Sequence, residues 1–428
     1  MLIALEINEI NLFLIQKYID EGYLPNFKKL INKYGYRITI SETQYENIEP
    51  WIQWVTVHTG KDYKEHNVFR LGEITKTDLS QIWEYLEMEG YSVSAISPIN
   101  GVNRTKKSPF FIPDPWTQTE TSGNRLIKEF HSAIKQLVND NSSNKLTIKS
   151  SILLIASLFQ FAQIKNYSLY IKYIIGSKRN KWYRACFLDL LLSDIFISLQ
   201  KKYKTDYSSL FLNGGAHIQH HYMLSSKYFP SQDQNPEWYV YQGADPIKCV
   251  FELYDRVLGD VINHFPDSRI HIITGLRQEP FEGAKYYWRL KNHQIFLDKI
   301  GLKYLEVIPR MSRDFTIKFQ SINDAITAKA KLDYATVNGD NQLFSTSISE
   351  DLIYVELIYD KELNENDFIK IDNQSYDNFK NDVSFVAIKN GKHNGEGFFV
   401  DTGDIAEHGT KIYLKSIFEK TIEIVTGK

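Results

Sequence analysis

The sequence predicts an α/β protein built on a doubly wound, mostly parallel sheet that is sandwiched by helices. Two patterns indicate this class. Short apolar runs alternate with amphipathic segments of helical spacing, and residues 2–7 (LIALEI) form the apolar run typical of a strand buried on both faces. A length of 428 residues permits one large α/β unit or two domains. We expect one large unit with an inserted helical cap and a smaller β-rich segment.

The first part of the chain alternates between strand and helix patterns. Three of its helical segments, 11–22, 24–35 and 51–60, end at glycine, the preferred residue just past a helix. The last of them opens after Pro50, which suits a first helical turn. The predicted elements are strand 2–7, helices 11–22 and 24–35, strand 37–41, helices 51–60 and 80–90, and strand 92–97.

Residues 120–205 interrupt this alternation, because they are helical in pattern and rich in Lys, Leu and Ile. We expect an inserted helical cap at 120–205 and an α/β domain formed by 1–119 and 206–428. The later predicted elements are strand 207–212, helix 246–264, strand 269–274, short strands at 304–308, 315–319, 353–358 and 384–388, and a closing helix at 410–426.

Composition excludes several classes of protein. With 43% hydrophobic residues the chain is globular, and 50 basic against 52 acidic residues argue against binding to duplex nucleic acid. The two cysteines, Cys186 and Cys249, are too far apart for a CxxC site, which excludes a disulfide scaffold and a thiolate zinc centre. The aromatic content of 14% favours wide apolar contacts or a cleft that binds sugars or rings.

The N-terminus lacks the basic start of a signal peptide, so we expect a cytoplasmic protein. The most apolar stretch, 151–164, is too short to span a membrane and contains two glutamines. A buried or lid helix is the first interpretation of this stretch. Peripheral membrane contact through 151–178 is the alternative, because lysines follow on the same segment: Lys165, Lys172 and Lys178.

Histidines follow the predicted strand 207–212, and ligands of open α/β sheets bind at the carboxyl ends of strands. The segment LFLNGGAHIQHHYM contains His217, His220 and His221, of which the first and last are four residues apart and share a helical face. Neutral imidazole is the commonest transition-metal ligand. The pattern favours metal binding or catalysis, and a hydrogen-bonded polar cluster at a helix start is the alternative.

Two other segments place polar or aromatic residues at strand or helix ends. Glu49 precedes a helix N-terminus, whose dipole favours a negative charge, and Trp51 and Trp54 are candidates for a substrate wall. A capped helix with a tryptophan core is the alternative interpretation. Arg277 and Gln278 follow a strand, where an arginine suits a phosphate or carboxylate, although a surface ion pair explains Arg277 equally well.

Taken in order, these motifs resemble the alkaline phosphatase superfamily, and within it the type I phosphodiesterase/nucleotide pyrophosphatase branch. LPNFKKLINKYG looks like the segment that follows the first strand in that branch, and WVTVHTGKDYKEHNVF is similar to its next helix and loop. NGGAH matches the D-x2-GH metal motif in spacing. HNGEGFFVDTGDI resembles the last histidine loop, and the final segment resembles the closing helix.

The resemblance implies two metal ions, held by Asp and His ligands around a Thr or Ser nucleophile. In this sequence the nucleophile position falls on Pro50, and the Asp-His pair of one metal site becomes Leu276 and Arg277. We therefore expect one divalent metal, zinc or manganese, and loss of the second site. The ligands that the resemblance implies are Glu6, Asn213, His217 and His393.

The sequence thus predicts a diverged enzyme of this superfamily that acts on a phosphorylated or nucleotide-linked sugar, by phosphodiester hydrolysis or group transfer. The segment EPWIQW is similar to chains associated with bacterial surface-polysaccharide gene sets. A non-catalytic, glycan- or partner-binding pseudoenzyme of the same fold is the alternative. The candidate catalytic residues are Glu49, Arg277, His217 and His220. The candidate substrate-binding residues are Trp51, Trp54, Gln278 and His221.

Overall fold

The computed structural model describes residues 1–42, 44, 47–139, 148–229, 234–309 and 313–428. The chain forms two compact units. The first comprises Met1–Pro230, Pro236–Pro280 and Gly391–Lys428, and the second comprises Ser231–Asn235 and Phe281–Asn390. Each unit has a hydrophobic core of its own.

An eight-stranded sheet forms the centre of the first unit. In spatial order its strands are β18 (Thr410–Tyr413), β2 (Arg37–Ile40), β17 (Glu396–Asp401), β6 (Arg269–Ile273), β1 (Leu2–Ile7), β5 (Tyr207–Leu212), β3 (Val93–Ile96) and β4 (Phe111–Ile112). β17 runs antiparallel to both of its neighbours, and the other pairs of this sheet are parallel. The predicted mostly parallel sheet is confirmed.

Helices cover both faces of this sheet, because alternate residues of a strand point to opposite sides. Ile3 and Leu5 of β1 belong to one core cluster, and Leu2 and Ala4 belong to another on the opposite face. The helices of this unit are α1 (Leu12–Asp20), α2 (Pro25–Tyr34), α3 (Pro50–Thr59), α4 (Tyr63–His66), α5 (Ile82–Met88), α6 (Arg125–Asn139), α7 (Ile148–Phe161), α8 (Tyr167–Gly176), α9 (Tyr183–Tyr203), α10 (Gly214–Tyr222), α11 (Pro246–His264) and α14 (Ser416–Thr426). The prediction of a sheet between two helical layers is confirmed.

Helices α6 to α9 occupy the segment in which the sequence predicts a helical cap. Their inward side chains, such as Phe130, Tyr170 and Phe196, join the core cluster that contains Ile3 and Leu5. Residues 140–147 of this segment lie outside the described residues. That 120–205 is an inserted cap on an α/β domain of 1–119 and 206–428 stays a prediction.

The second unit is rich in short antiparallel strands, as the later part of the sequence indicates. One four-stranded sheet contains β12 (Phe344–Ser349), β13 (Leu352–Leu357), β9 (Asp314–Lys318) and β8 (Glu306–Pro309). The other contains β11 (Asn341–Gln342), β10 (Thr336–Val337), β14 (Ile369–Ile371) and β15 (Gln374–Tyr376). Helices α12 (His293–Lys299) and α13 (Ile322–Asp333) belong to this unit, and β7 (Arg277–Leu290) pairs with β16 (Val383–Asn394).

The end of the chain differs from the prediction of one helix over 410–426. Residues Thr410–Tyr413 form β18, which pairs with β2, and the helix begins only at Ser416. The reason is tertiary, because the backbone of this short segment completes the edge of the sheet instead of forming helical hydrogen bonds.

Candidate metal centre

Two histidine rings and a buried carboxylate converge at the carboxyl end of the central sheet. The Oε2 atom of Glu9 lies 3.1 Å from Nε2 of His220 and 3.2 Å from Nε2 of His393. The two ring nitrogens lie 3.1 Å from each other. Glu9 follows β1 and His220 lies on the helix that follows β5, and because these strands are parallel neighbours, their carboxyl ends meet at this edge. We call Glu9, His220 and His393 the Glu9 cluster.

The carboxylate of Glu9 is fixed at both oxygens. Gln278 Nε2 donates a hydrogen bond of 2.6 Å to Oε2, and Asn8 Nδ2 donates one of 3.0 Å to Oε1. The backbone of Glu9 is left-handed, with φ of 60°, a conformation that is costly for a residue with a Cβ. Burial opposes ionisation, but His393 and His220 outweigh it and lower the pKa of Glu9. A buried, ionised carboxylate therefore points at the two imidazoles.

Glu49 holds the other side of the His393 ring. Its Oε2 lies 3.4 Å from Nδ1 of His393, the nitrogen that does not face Glu9. Glu49 occupies the residue before α3, where the chain is still extended. A carboxylate beside the distal nitrogen of a metal-ligating histidine fixes the tautomer and the orientation of the ring. The two carboxylates, Glu9 and Glu49, thus bracket His393.

The donor atoms of the Glu9 cluster fit a divalent transition metal. Tetrahedral ligands at about 2.0–2.1 Å from zinc lie about 3.3 Å from one another, close to the 3.1–3.2 Å separations of this cluster. Two imidazole nitrogens and one carboxylate are a donor set of catalytic zinc sites, which keep a further position for water or substrate. Among the His, Cys, Asp and Glu side chains of the described residues, the three of this cluster lie close enough together to share an ion.

Helix α10 carries the three predicted histidines but brings only His220 to the Glu9 cluster. The His217 ring lies 4.8 Å from that of His221, so these two share a face as the spacing predicts. His217 is exposed at the surface, and partial desolvation by the surrounding protein, together with His220, lowers the pKa of its imidazole. Asn213 accepts a hydrogen bond of 2.8 Å from Asn8 Nδ2. The structure does not bring Asn213 or His217 into the cluster.

Glu6, the carboxylate that the resemblance implies as a ligand, lies elsewhere. It belongs to β1, and its Oε1 lies 3.1 Å from Nε2 of His58 on α3, with both side chains buried. Glu9 is not among the candidate ligands predicted from the sequence. The available signal was the end of the strand, because β1 stops at Ile7 and Glu9 is the first acidic residue beyond it.

The predicted substrate-binding residues have structural partners. Trp54 is fully buried, and its Nε1 donates a hydrogen bond of 2.7 Å to Oδ1 of Asn8, so it acts behind the site rather than as a substrate wall. Trp51 is half-buried, and its Nε1 donates to the carbonyl of Phe69 at 2.9 Å. Gln278 is also buried and holds Glu9. Trp54 and Gln278 therefore support the site from within the protein, whereas the indole of Trp51 is bonded to the backbone beyond α4.

Arg277 is neutralised by two carboxylates and lies outside the Glu9 cluster. Its Nη1 lies 2.7 Å from Glu396 Oε2, and its Nη2 lies 2.8 Å from Glu279 Oε1. Because successive side chains of a strand point to opposite sides, Arg277 turns away from the direction of Gln278. It lines a separate cavity of about 520 Å³.

No family model matches this chain. No curated protein matches it either. Solved structures that are similar to it include the following three. Phosphonoacetate hydrolase from Sinorhizobium meliloti 1021, in complex with phosphonoacetate, has a TM-score of 0.47 and 11% identity, over 99% of this chain and 95% of that chain. Human ectonucleotide pyrophosphatase/phosphodiesterase 5 has a TM-score of 0.37 and 10% identity, over 99% and 94%. Alkaline phosphatase from the Antarctic bacterium TAB5 has a TM-score of 0.42 and 10% identity, over 100% and 98%. All three are members of the superfamily that the sequence motifs resemble.

Proposed function

We propose that this chain hydrolyses a phosphoester with one divalent metal ion held by the Glu9 cluster. The observation that carries the proposal is the convergence of three donor atoms within 3.2 Å of one another. They lie at the carboxyl end of the sheet, where α/β proteins bind ligands. The order of the sequence motifs, which resembles that of phosphodiesterases, supports phosphoester chemistry at this place.

Residues around the cluster prepare it for an ion. When bound, a divalent ion polarises a phosphoryl oxygen and increases the acidity of water. Gln278 and Asn8 hold the carboxylate of Glu9 so that it does not reorganise on binding. Glu49 keeps the proton of His393 at Nδ1, which leaves Nε2 as the ligand atom.

The reaction that these residues support is direct attack by water. Pro50, the first residue of α3, stands at the position where the resemblance places a hydroxyl nucleophile, so a covalent intermediate has no residue to form on there. The oxygen of water forms a bond to phosphorus, and the bond from phosphorus to the leaving oxygen breaks. The carboxylate of Glu49, which is partly exposed, accepts the proton of that water.

The proposed substrate is a phosphorylated or nucleotide-linked sugar. An exposed aromatic ring of the kind that packs on sugars lies beyond α10 in the first unit, since Trp238 is 56% exposed. The neighbouring Tyr239 stacks on Tyr222, the buried last residue of α10, with ring centroids 5.1 Å apart. Tyr222 is two residues beyond His220. The likeness of EPWIQW to chains of bacterial polysaccharide gene sets supports the same class of substrate. Group transfer to a sugar acceptor, in place of hydrolysis by water, is the alternative reaction.

The test measures bound metal and phosphodiesterase activity together. We expect the protein loaded with zinc or manganese to retain one ion per chain after dialysis and to hydrolyse bis-p-nitrophenyl phosphate or a nucleotide sugar. His220→Ala and His393→Ala are expected to lose the ion and the activity, while His217→Ala on the same helix keeps the ion. Metal loss in His217→Ala alone would overturn the assignment of the cluster. A retained ion without turnover of any phosphoester would support the non-catalytic alternative instead.

A further inference from the structure

Large apolar side chains are exposed on two consecutive helices of the first unit. Phe159, Ile164 and Ile175 are 81%, 83% and 71% exposed. The exposed apolar residues on α7, on α8 and on the turn between them are called the α7–α8 surface. Its members are Ile152, Ile155, Phe159, Ile164, Tyr167, Ile171, Ile174 and Ile175. A group of large exposed apolar side chains on one surface commonly marks a site of protein or membrane interaction.

The spacing of these residues gives each helix two distinct faces. On α7 the exposed residues Ile152, Ile155 and Phe159 follow one another at intervals of three and four residues, which is one side of a helix. On α8 the opposite side is used for the core, because Tyr170 and Tyr173 are buried in the cluster of the first unit. The outward faces of α7 and α8 therefore do not pack against the core of the first unit.

The same segment is strongly basic. Residues 148–188 contain no acidic residue, in a chain whose formal net charge is −2. The basic residues of the segment are Lys149, Lys165, Lys172, Lys178, Arg179, Lys181 and Arg184. Of these, Lys165 lies beside Asp260 of α11. Lys178 and Arg179, just beyond the end of α8, are exposed, and the Arg179 guanidinium lies 4.5 Å from the centre of the Tyr241 ring.

We propose that the α7–α8 surface docks on a lipid bilayer with anionic headgroups. Exposed apolar side chains with exposed cations on the same segment are typical of helices that lie in a membrane interface. There the rings and aliphatic groups enter the acyl boundary and the cations meet phosphate. A second copy of this chain is a poorer occupant, because the basic segments of two copies would repel each other and neither contains an acidic partner.

The surface lies on the bilayer and does not cross it. α7 has 14 residues, a length of about 21 Å against a hydrocarbon core of about 30 Å. Within the described residues, no helix combines the length and the apolar character that crossing a membrane requires. The expected cytoplasmic location stays a prediction. The α7–α8 surface contains no residue of the Glu9 cluster.

The test is co-sedimentation of the full chain with vesicles. The chain is expected to bind vesicles of phosphatidylcholine mixed with phosphatidylglycerol, to leave vesicles of phosphatidylcholine alone, and to dissociate as salt rises. The double variant Phe159→Ser/Ile175→Ser should bind the mixed vesicles at least about tenfold more weakly. The control Ile405→Ser, at a residue that is 77% exposed outside the surface, should bind like the wild type.

A second variant leaves every apolar residue in place. Lys178→Gln/Arg179→Gln removes two exposed cations and is expected to weaken binding to the mixed vesicles roughly tenfold or more. Sedimentation velocity without lipid distinguishes a second copy as the occupant. A monomer that binds the mixed vesicles supports the proposal. A dimer that Phe159→Ser/Ile175→Ser dissociates, or unchanged vesicle binding by that variant, overturns it.

Discussion

The Nε2 atoms of His220 and His393 lie 3.1 Å apart, although 173 residues separate the two histidines in the chain. Both nitrogens face one oxygen of Glu9. Two imidazoles and a carboxylate at this separation match the ligands of one divalent ion. This relationship makes the Glu9 cluster, rather than the predicted set of Glu6, Asn213 and His217 with His393, the proposed centre of the chemistry.

The backbone of Glu9 allows its carboxylate to be tested separately from its strain. Glu9→Ala and Glu9→Gly both remove the carboxylate, and both are expected to lose the bound ion. Only glycine relieves the left-handed φ of 60°. Glu9→Gly should therefore unfold in urea with a free energy about 1 kcal/mol higher than that of Glu9→Ala when a chelator is present. Equal stability of the two variants would contradict a strained Glu9.

Glu49 is expected to tune the affinity for metal through His393. Glu49→Gln removes the charge that lies 3.4 Å from His393 Nδ1, and such outer partners typically contribute 10–100-fold to metal affinity. Competition with a chelating dye measures this loss. Glu252→Gln, at an exposed residue that pairs with Lys248 on α11, serves as the control and should leave the affinity unchanged. If Glu49 also accepts the proton of water, hydrolysis stays reduced in Glu49→Gln at saturating metal.

Two buried tryptophans allow the support of the site by Trp54 to be tested, with Trp83 as the control. Trp54→Phe removes the donor to Asn8 Oδ1, and Trp83→Phe removes the donor to the carbonyl of Val102. Each variant leaves a buried acceptor without its donor, so each should lower the free energy of unfolding by about 1–3 kcal/mol. Only Trp54→Phe is expected to weaken metal binding, since Asn8 holds Glu9. Weaker metal binding in both variants would point to a general loss of stability.

Asp189 predicts a pH dependence of stability. Burial raises its pKa from 3.8 to about 7, against hydrogen bonds from Tyr254 and Gly214 that favour the charged form. Between these two pH values the folded chain binds a proton that the unfolded chain has released, so stability falls as pH rises through this window. Urea unfolding of the wild type and Asp189→Asn across it should show a wild-type loss of up to about 1.4 kcal/mol per pH unit relative to the variant. Parallel profiles would place the pKa of Asp189 near its ordinary value.

Local pattern was sufficient for most of the elements of the sheet. The apolar runs at β1 and β5 and the amphipathic spacing of α1, α2 and α11 predict those elements close to their observed bounds. Prediction failed where a neighbouring strand decides the conformation. Residues Thr410–Tyr413 complete the sheet edge beside β2, and nothing within the segment itself requires that pairing.

For the site, the sequence by itself determined that histidines follow β5, because that fact is local. The sequence places His393 in a loop, but it lies near the end of β16, whose pairing with β7 the local sequence does not reveal. Only the tertiary structure decided which side chains meet. Glu6 lies within β1, and its side chain points toward α3, where it pairs with His58. Glu9 lies beyond the end of β1 and reaches the imidazoles. About 100° of rotation per residue on α10 likewise separates His220 from His221. The sequence indicates which residue types are available as ligands. The directions of the strands and helices in space decide which individual residues converge.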